Sequence, residues 1–121
     1  MSYRILLADD SPGIVDALTD ILEARGYEVA SVADGLKLVE KARAWLPHLI
    51  IADLMMPGAY GSTACKTLQL DPTTTHIPVI FLTAVEEQQA KRLVPDSLKA
   101  RVLTKPMDVT QLLSTIAEFL P

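Results

Sequence analysis

The stretch Ile5-Leu6-Leu7-Ala8-Asp9-Asp10-Ser11 passes in one step from four uninterrupted apolar residues to two carboxylates and a potential helix cap. A short apolar run without alternation marks a strand buried on both faces of a parallel sheet, because successive side chains point to opposite faces and both are covered. Leu49-Ile50-Ile51-Ala52 and Val79-Ile80-Phe81-Leu82 repeat the pattern, and they too run straight into polar residues, Asp53 and Thr83. Val29-Ala30-Ser31-Val32 is more polar, and Arg101-Val102-Leu103-Thr104 is flanked by charge and ends at Lys105. These last two read as sheet edges.

Helical patterns separate the runs. Ile14, Val15, Leu18, Ile21 and Leu22 recur at helical spacing, with Ser11 as the expected N-cap, Pro12 in the first turn and Gly26 as the stop. Asp34-Gly35 turns into a second stripe of Leu38, Val39, Ala42, Trp45 and Leu46, closed by Pro47. Ala64, Cys65 and Leu68 form a third, and Val109, Leu112, Leu113, Ile116, Ala117 and Leu120 the last and cleanest. The segment from Glu86 to Val94 is the weakest helix, polar through Glu86-Glu87-Gln88-Gln89 and closed by Pro95.

Strands alternating with helices imply a parallel sheet covered on both faces. Three buried strands between two polar edges give the order 2-1-3-4-5, so the expected fold is α/β: a flavodoxin-like, doubly wound, five-stranded parallel sheet flanked by five helices. In such sheets ligands bind beyond the carboxyl ends of the strands, at the switch point between the first and third. Asp9, Asp10 and Asp53 fall there, with Thr83 and Lys105 at the ends of the next two strands.

The bulk numbers agree with one domain over residues 1–121, large enough for a core without disulfides. A net charge of -4 with no Lys/Arg run argues against direct nucleic-acid binding. The single cysteine, Cys65, has no partner for a disulfide, no signal peptide is evident and no apolar run could span a membrane. A cytoplasmic protein with no membrane contact is expected.

Three carboxylates converging on one crevice repel, and two unit charges about 4 Å apart cost about 4 kcal/mol at an effective dielectric of 20. A hard divalent cation with oxygen ligands, Mg2+, would relieve this. A carboxylate held between a metal and the ammonium of Lys105 can attack phosphorus to give an aspartyl phosphate, while the surrounding charge neutralises the moving phosphoryl oxygens. Singly, each residue has a plainer explanation: an Asp after a strand is usually a cap or turn, Thr83 could cap a helix, and Lys105 could be a solvated charge. Independent caps have no reason to place complementary charge at four strand ends. His48 and His76 lie beside prolines with no ligand partner nearby, and Cys65 and Trp45 read as packing residues.

With these motifs in place, the chain resembles the receiver (phosphoacceptor) domain of two-component response regulators. The likeness rests on Ile5-Leu6-Leu7-Ala8-Asp9-Asp10-Ser11, Leu49-Ile50-Ile51-Ala52-Asp53-Leu54-Met55-Met56-Pro57 with Gly61 following, Phe81-Leu82-Thr83-Ala84 and Thr104-Lys105-Pro106, four motifs in order across essentially the whole chain. The resemblance implies that Asp53 accepts a phosphoryl group from a phosphohistidine on a sensor histidine kinase or phosphotransfer protein. It implies that Asp10, Asp53 and the Met55 backbone carbonyl bind Mg2+ directly, with Asp9 acting through water. Thr83 would contact a phosphoryl oxygen and Lys105 would pair with the phosphate. The domain would act on a downstream protein target as a monomer or weak dimer, and as an enzyme it would catalyse at most its own phosphorylation and dephosphorylation.

Two departures from the family pattern stand out. Val102 occupies a position usually held by an aromatic, and Ser97-Leu98-Lys99-Ala100 replaces an acidic, aromatic-ended run. Two other function classes use similar residue types. A small magnesium-dependent phosphatase with an aspartyl nucleophile fits less well, because its second Asp is expected two residues after the nucleophile. A flavin binder lacks its phosphate loop here. The chain ends at Leu120-Pro121, one helix after Lys105, which leads to the expectation of either a single-domain regulator or a receiver cut from a larger protein.

Overall fold

The computed structural model describes residues 2–56, 59–94 and 100–121. Pro57, the Pro95 helix stop and most of the divergent run before Ala100 therefore lie outside the described residues. Within them the order is β1 (Arg4–Ala8), α1 (Pro12–Ala24), β2 (Glu28–Val32), α2 (Gly35–Trp45), β3 (Leu49–Ala52), β4 (Met55–Met56), β5 (Ala59–Tyr60), α3 (Gly61–Gln69), β6 (Val79–Thr83), α4 (Glu87–Leu93), β7 (Ala100–Thr104) and α5 (Val109–Phe119). The main sheet is parallel and runs β2-β1-β3-β6-β7, which is the expected 2-1-3-4-5 once the separate β4-β5 ladder is set aside. That small antiparallel ladder, Met55 opposite Tyr60 and Met56 opposite Ala59, was not foreseen. Two-residue strands carry no periodicity to read.

Alternation divides the core into two layers. Leu6, Ala8, Ile50, Ala52, Val79 and Phe81 point to one face and pack with Leu38 and Ala42 of α2, Ala64, Cys65 and Leu68 of α3, and Ala90 of α4. Ile5, Leu7, Leu49, Ile51, Ile80, Leu82 and Leu103 point to the other, against Leu18 and Leu22 of α1 and Leu112 and Ile116 of α5. Burial on both faces explains why the central strands are apolar at every position. Cys65 belongs to this core, where burial pushes its thiol up to about 12.

Some local expectations change. Ser11 occupies the N-cap of α1, but its side chain makes no capping bond. The Asp34 and Asp108 carboxylates do cap, accepting from the backbone N–H of Lys37 and Gln111. Leu46 is not part of the apolar face of α2: it is exposed and ends the helix in the left-handed region at φ 51°. Val109 and Ala117 also face outward, so the apolar stripe of α5 is narrower than its sequence suggests.

At the amino ends of the strands Arg4 ties three elements together. Its guanidinium donates to the carbonyls of Trp45 (3.2 Å) and Leu46 (2.7 Å), satisfying the end of α2. Its backbone N–H donates to His48 Nδ1 at 2.9 Å, and the His48 N–H returns a bond to the Arg4 carbonyl at 2.8 Å. Among the described residues no helix is long and apolar enough to cross a membrane.

Candidate functional site

Register builds the site. Ala8 stands opposite Ala52 in the β1-β3 pair, so Asp9 and Asp53 leave the sheet side by side, and the Asp53 N–H donates to the Ala8 carbonyl at 2.8 Å. Thr83 stands opposite Thr104 in the β6-β7 pair, and the Lys105 N–H donates to the Thr83 carbonyl at 2.8 Å. All four strand ends open on one edge, as the switch-point argument requires.

Three of these residues share one local device. Asp9 Oδ1 accepts from the Ser11 N–H (2.9 Å), Asp53 Oδ1 from the Met55 N–H (3.1 Å) and Thr83 Oγ1 from the Val85 N–H (3.2 Å). Each side chain therefore closes a turn with the residue two ahead. The plain turn reading and the functional reading hold together, because the turn uses one oxygen of each carboxylate and leaves the other for chemistry. The remaining oxygens, Asp9 Oδ2 and Asp53 Oδ2, each lie 3.0 Å from Lys105 Nζ. Sequence placed Lys105 across the site, whereas the fold makes it a direct bridge between the two buried carboxylates. Burial of the ammonium works to lower its pKa, but the hydrogen bonds to Asp53 and Asp9, with their charges, outweigh that and hold Lys105 above its usual 10.5. It is a fixed cation at neutral pH.

Asp10 joins from the exposed side. One oxygen from each of Asp9, Asp10 and Asp53 lies within 4.8 Å of the others. Three carboxylates against the single Lys105 ammonium leave the site at a formal charge of -2, which one divalent cation would neutralise. At metal–oxygen distances near 2.1 Å, opposite ligands of an octahedral Mg2+ lie about 4.2 Å apart. The donor set, three carboxylate oxygens within 4.8 Å of one another, fits such an ion. Beside Asp9 and Asp10 a cleft of about 400 Å³ opens between α1, the end of β2 and α2, with Asp16 and Lys37 on its walls. Thr83 is wholly buried, Val85 partly so, and Met55 is 44% exposed.

All five expected residues, Asp9, Asp10, Asp53, Thr83 and Lys105, are thus at one edge. The backbone donors at Ser11, Met55 and Val85 were missed, although the signal for two of them, an Asp at a strand end with the chain turning after it, was legible.

Comparison with known proteins identifies the family. The response regulator receiver domain family matches residues 5–117. This chain belongs to that family. Protein PilH of Pseudomonas aeruginosa is 37% identical to the receiver over 113 residues, 93% of each chain. The DNA-binding dual master transcriptional regulator RpaA of Synechocystis is 41% identical over 117 residues, which cover 97% of this chain but 48% of RpaA. Response regulator PleD of Caulobacter vibrioides is 40% identical, with 26% of its length covered. The receiver thus spans about half the length of RpaA and a quarter that of PleD. Among solved structures, the chemotaxis protein CheY4 of Vibrio cholerae superposes with a TM-score of 0.90 at 28% identity, covering 99% of this chain and 100% of that one. The phosphatase alternative finds no support in these relatives.

Proposed function

We propose that Asp53 is the phosphoacceptor of a single receiver domain spanning residues 1–121, loaded by a histidine kinase or phosphotransfer protein in the cytoplasm. A carboxylate oxygen of Asp53 attacks phosphorus, the bond from phosphorus to the donor imidazole breaks, and an acyl phosphate remains on Asp53. The observation that carries this reading is the pairing of Asp53 Oδ2 with Lys105 at 3.0 Å, inside a cluster whose carboxylate oxygens lie within 4.8 Å of one another.

Asp10, Asp53 and the Met55 carbonyl, with Asp9 through water, would hold Mg2+, which supplies charge neutralisation when bound. Lys105 exchanges its bond to Asp53 Oδ2 for one to a phosphoryl oxygen and so carries its charge onto the product. Thr83 Oγ1 accepts from Val85 and keeps its own proton, which it can donate to a second phosphoryl oxygen once the 83–85 turn moves inward. That movement is the switch read by a downstream protein target. Val102 carries no aromatic ring to rotate with it, so fewer bulky groups rearrange between the two states. DNA binding is stated in the name of RpaA, of which this chain covers 48%, and this chain acts without direct nucleic-acid contact, as a monomer or weak dimer and as a switch rather than an enzyme on other substrates.

The test is intact mass after incubation with a small acyl phosphate. The protein gains one phosphoryl group only with Mg2+, and Asp53→Asn gains none. Undiminished labelling of Asp53→Asn refutes the assignment.

A further inference from the structure

The turn after Asp53 is closed from a distance. Gly61, the first residue of α3, is buried and donates its N–H to the Leu54 carbonyl at 2.9 Å. A methyl group at position 61 would be driven into the Asp53 carbonyl oxygen, and the Asp53 carbonyl carbon would lie 3.1 Å from it. The backbone of Gly61 is not among the left-handed glycines, unlike Gly26 at φ 88°. Glycine is needed at 61 for close approach and not for an unusual backbone angle. What approaches is the peptide of Asp53 itself.

We infer that Gly61 is a positioning residue for phosphoryl transfer: by letting α3 rest directly on the Asp53 peptide, it fixes the Asp53–Met55 turn that aims the carboxylate and presents Met55. This deepens the reading of Asp53 as phosphoacceptor and rests on it. The chain of contacts is short. The Asp53 carbonyl touches Gly61, the Leu54 carbonyl is bonded to its N–H, and the Met55 N–H holds Asp53 Oδ1 at 3.1 Å. The β4-β5 ladder, Met55 opposite Tyr60, returns the chain to Gly61 and completes a closed loop. To accept a methyl group at ordinary van der Waals distance, the Asp53 peptide must retreat by about 1 Å, and misplacement on that scale can slow a reaction about a hundredfold.

Two opposing expectations make the idea testable. On helix propensity alone, replacing a helical glycine by alanine is stabilising. Gly13 in α1, where an added methyl group meets nothing within 4 Å, serves as the control. Gly13→Ala should raise stability and leave Mg2+ affinity and phosphorylation rate within twofold of wild type. Gly61→Ala should weaken Mg2+ binding, measured by calorimetry, and slow phosphorylation at saturating Mg2+ and acyl phosphate by tenfold or more. It should also shift the Met55 amide resonance in metal-free protein, since that N–H is held by Asp53.

If Gly61→Ala is too unstable alone, it is combined with Gly13→Ala in trimethylamine N-oxide, and Mg2+ binding is read from the shift it causes in the denaturant midpoint. A Gly61→Ala protein with wild-type Mg2+ affinity, rate and Met55 resonance, or in the combined variant a wild-type midpoint shift, overturns the inference. Failure of wild-type protein to label, or labelling that persists in Asp53→Asn, instead strikes the phosphoacceptor assignment.

Discussion

Replacing Lys105 by methionine keeps the length and apolar stem of the side chain and removes its charge. The ammonium stands 3.0 Å from both Asp9 Oδ2 and Asp53 Oδ2, and the two carboxylates are 7% and 8% exposed. At an effective dielectric of 20, each of these attractions is about 5.5 kcal/mol before desolvation is subtracted. At the same dielectric, two carboxylate charges at the 4.8 Å limit of the cluster repel by about 3.5 kcal/mol. Removing one partner of a buried ion pair typically destabilises by about 3–5 kcal/mol, because the charges left behind keep their desolvation and lose their compensation. Lys105→Met is therefore expected to lose about 3 kcal/mol of unfolding free energy at pH 7, a large part of the stability of a small domain. Mg2+ should stabilise the variant more than wild type, since a divalent ion substitutes for the missing charge. Urea unfolding at pH 7, with and without Mg2+ at constant ionic strength, measures both. A loss below about 1 kcal/mol at pH 7 without Mg2+ would match an exposed ion pair and refute the bridge as a structural cation.

Other outcomes follow from single features. Leu46 ends α2 at φ 51° while 44% exposed, so Leu46→Gly should raise the urea midpoint by about 0.5–1 kcal/mol equivalent as the left-handed strain is relieved; an unchanged or lower midpoint means no strain is stored there. Burial and the Arg4 charge lower the pKa of His48 below 6.5 against an opposing pull from Glu28, and its Nδ1 must be unprotonated to accept from Arg4. Its contribution to stability is thus complete above pH 6.5 and lost as pH falls from there toward the folded pKa, so wild type should lose more stability than His48→Gln between pH 7.5 and 5. Equal losses would place the acid sensitivity elsewhere. Met55 and Val85 follow Asp53 and Thr83 by two residues, their N–H groups bonded to those side chains, and neither carries a group to orient water; Met55→Asn with Val85→Glu should therefore speed loss of the phosphoryl group about tenfold or more in a decay time course, each factor of ten being about 1.4 kcal/mol, and equal decay would show that these two side chains do not govern access of water.

The five strands of the main sheet, the helices between them and the layer order are legible in the sequence, because those are short-range properties. Ile50 to Ala52 are apolar without alternation because the strand has no solvent face, and α1 and α5 announce themselves by spacing along one stripe. The sequence also placed Asp9, Asp10, Asp53, Thr83 and Lys105 at strand ends, since a carboxylate after a buried run has nowhere else to go. How those ends meet is a property of the folded chain alone. Lys105 bridges Asp9 and Asp53 across 96 and 52 residues of chain because the register of separate strand pairs brings them together, and no local pattern encodes that distance. The same holds for Arg4, whose guanidinium closes α2 some 41 and 42 residues away, and for Leu46, whose left-handed turn leaves outside a side chain that its spacing would bury. Gly61 is the sharpest case. In sequence it is one glycine near a loop, and its need to be a glycine exists only because the fold rests α3 against the peptide of Asp53.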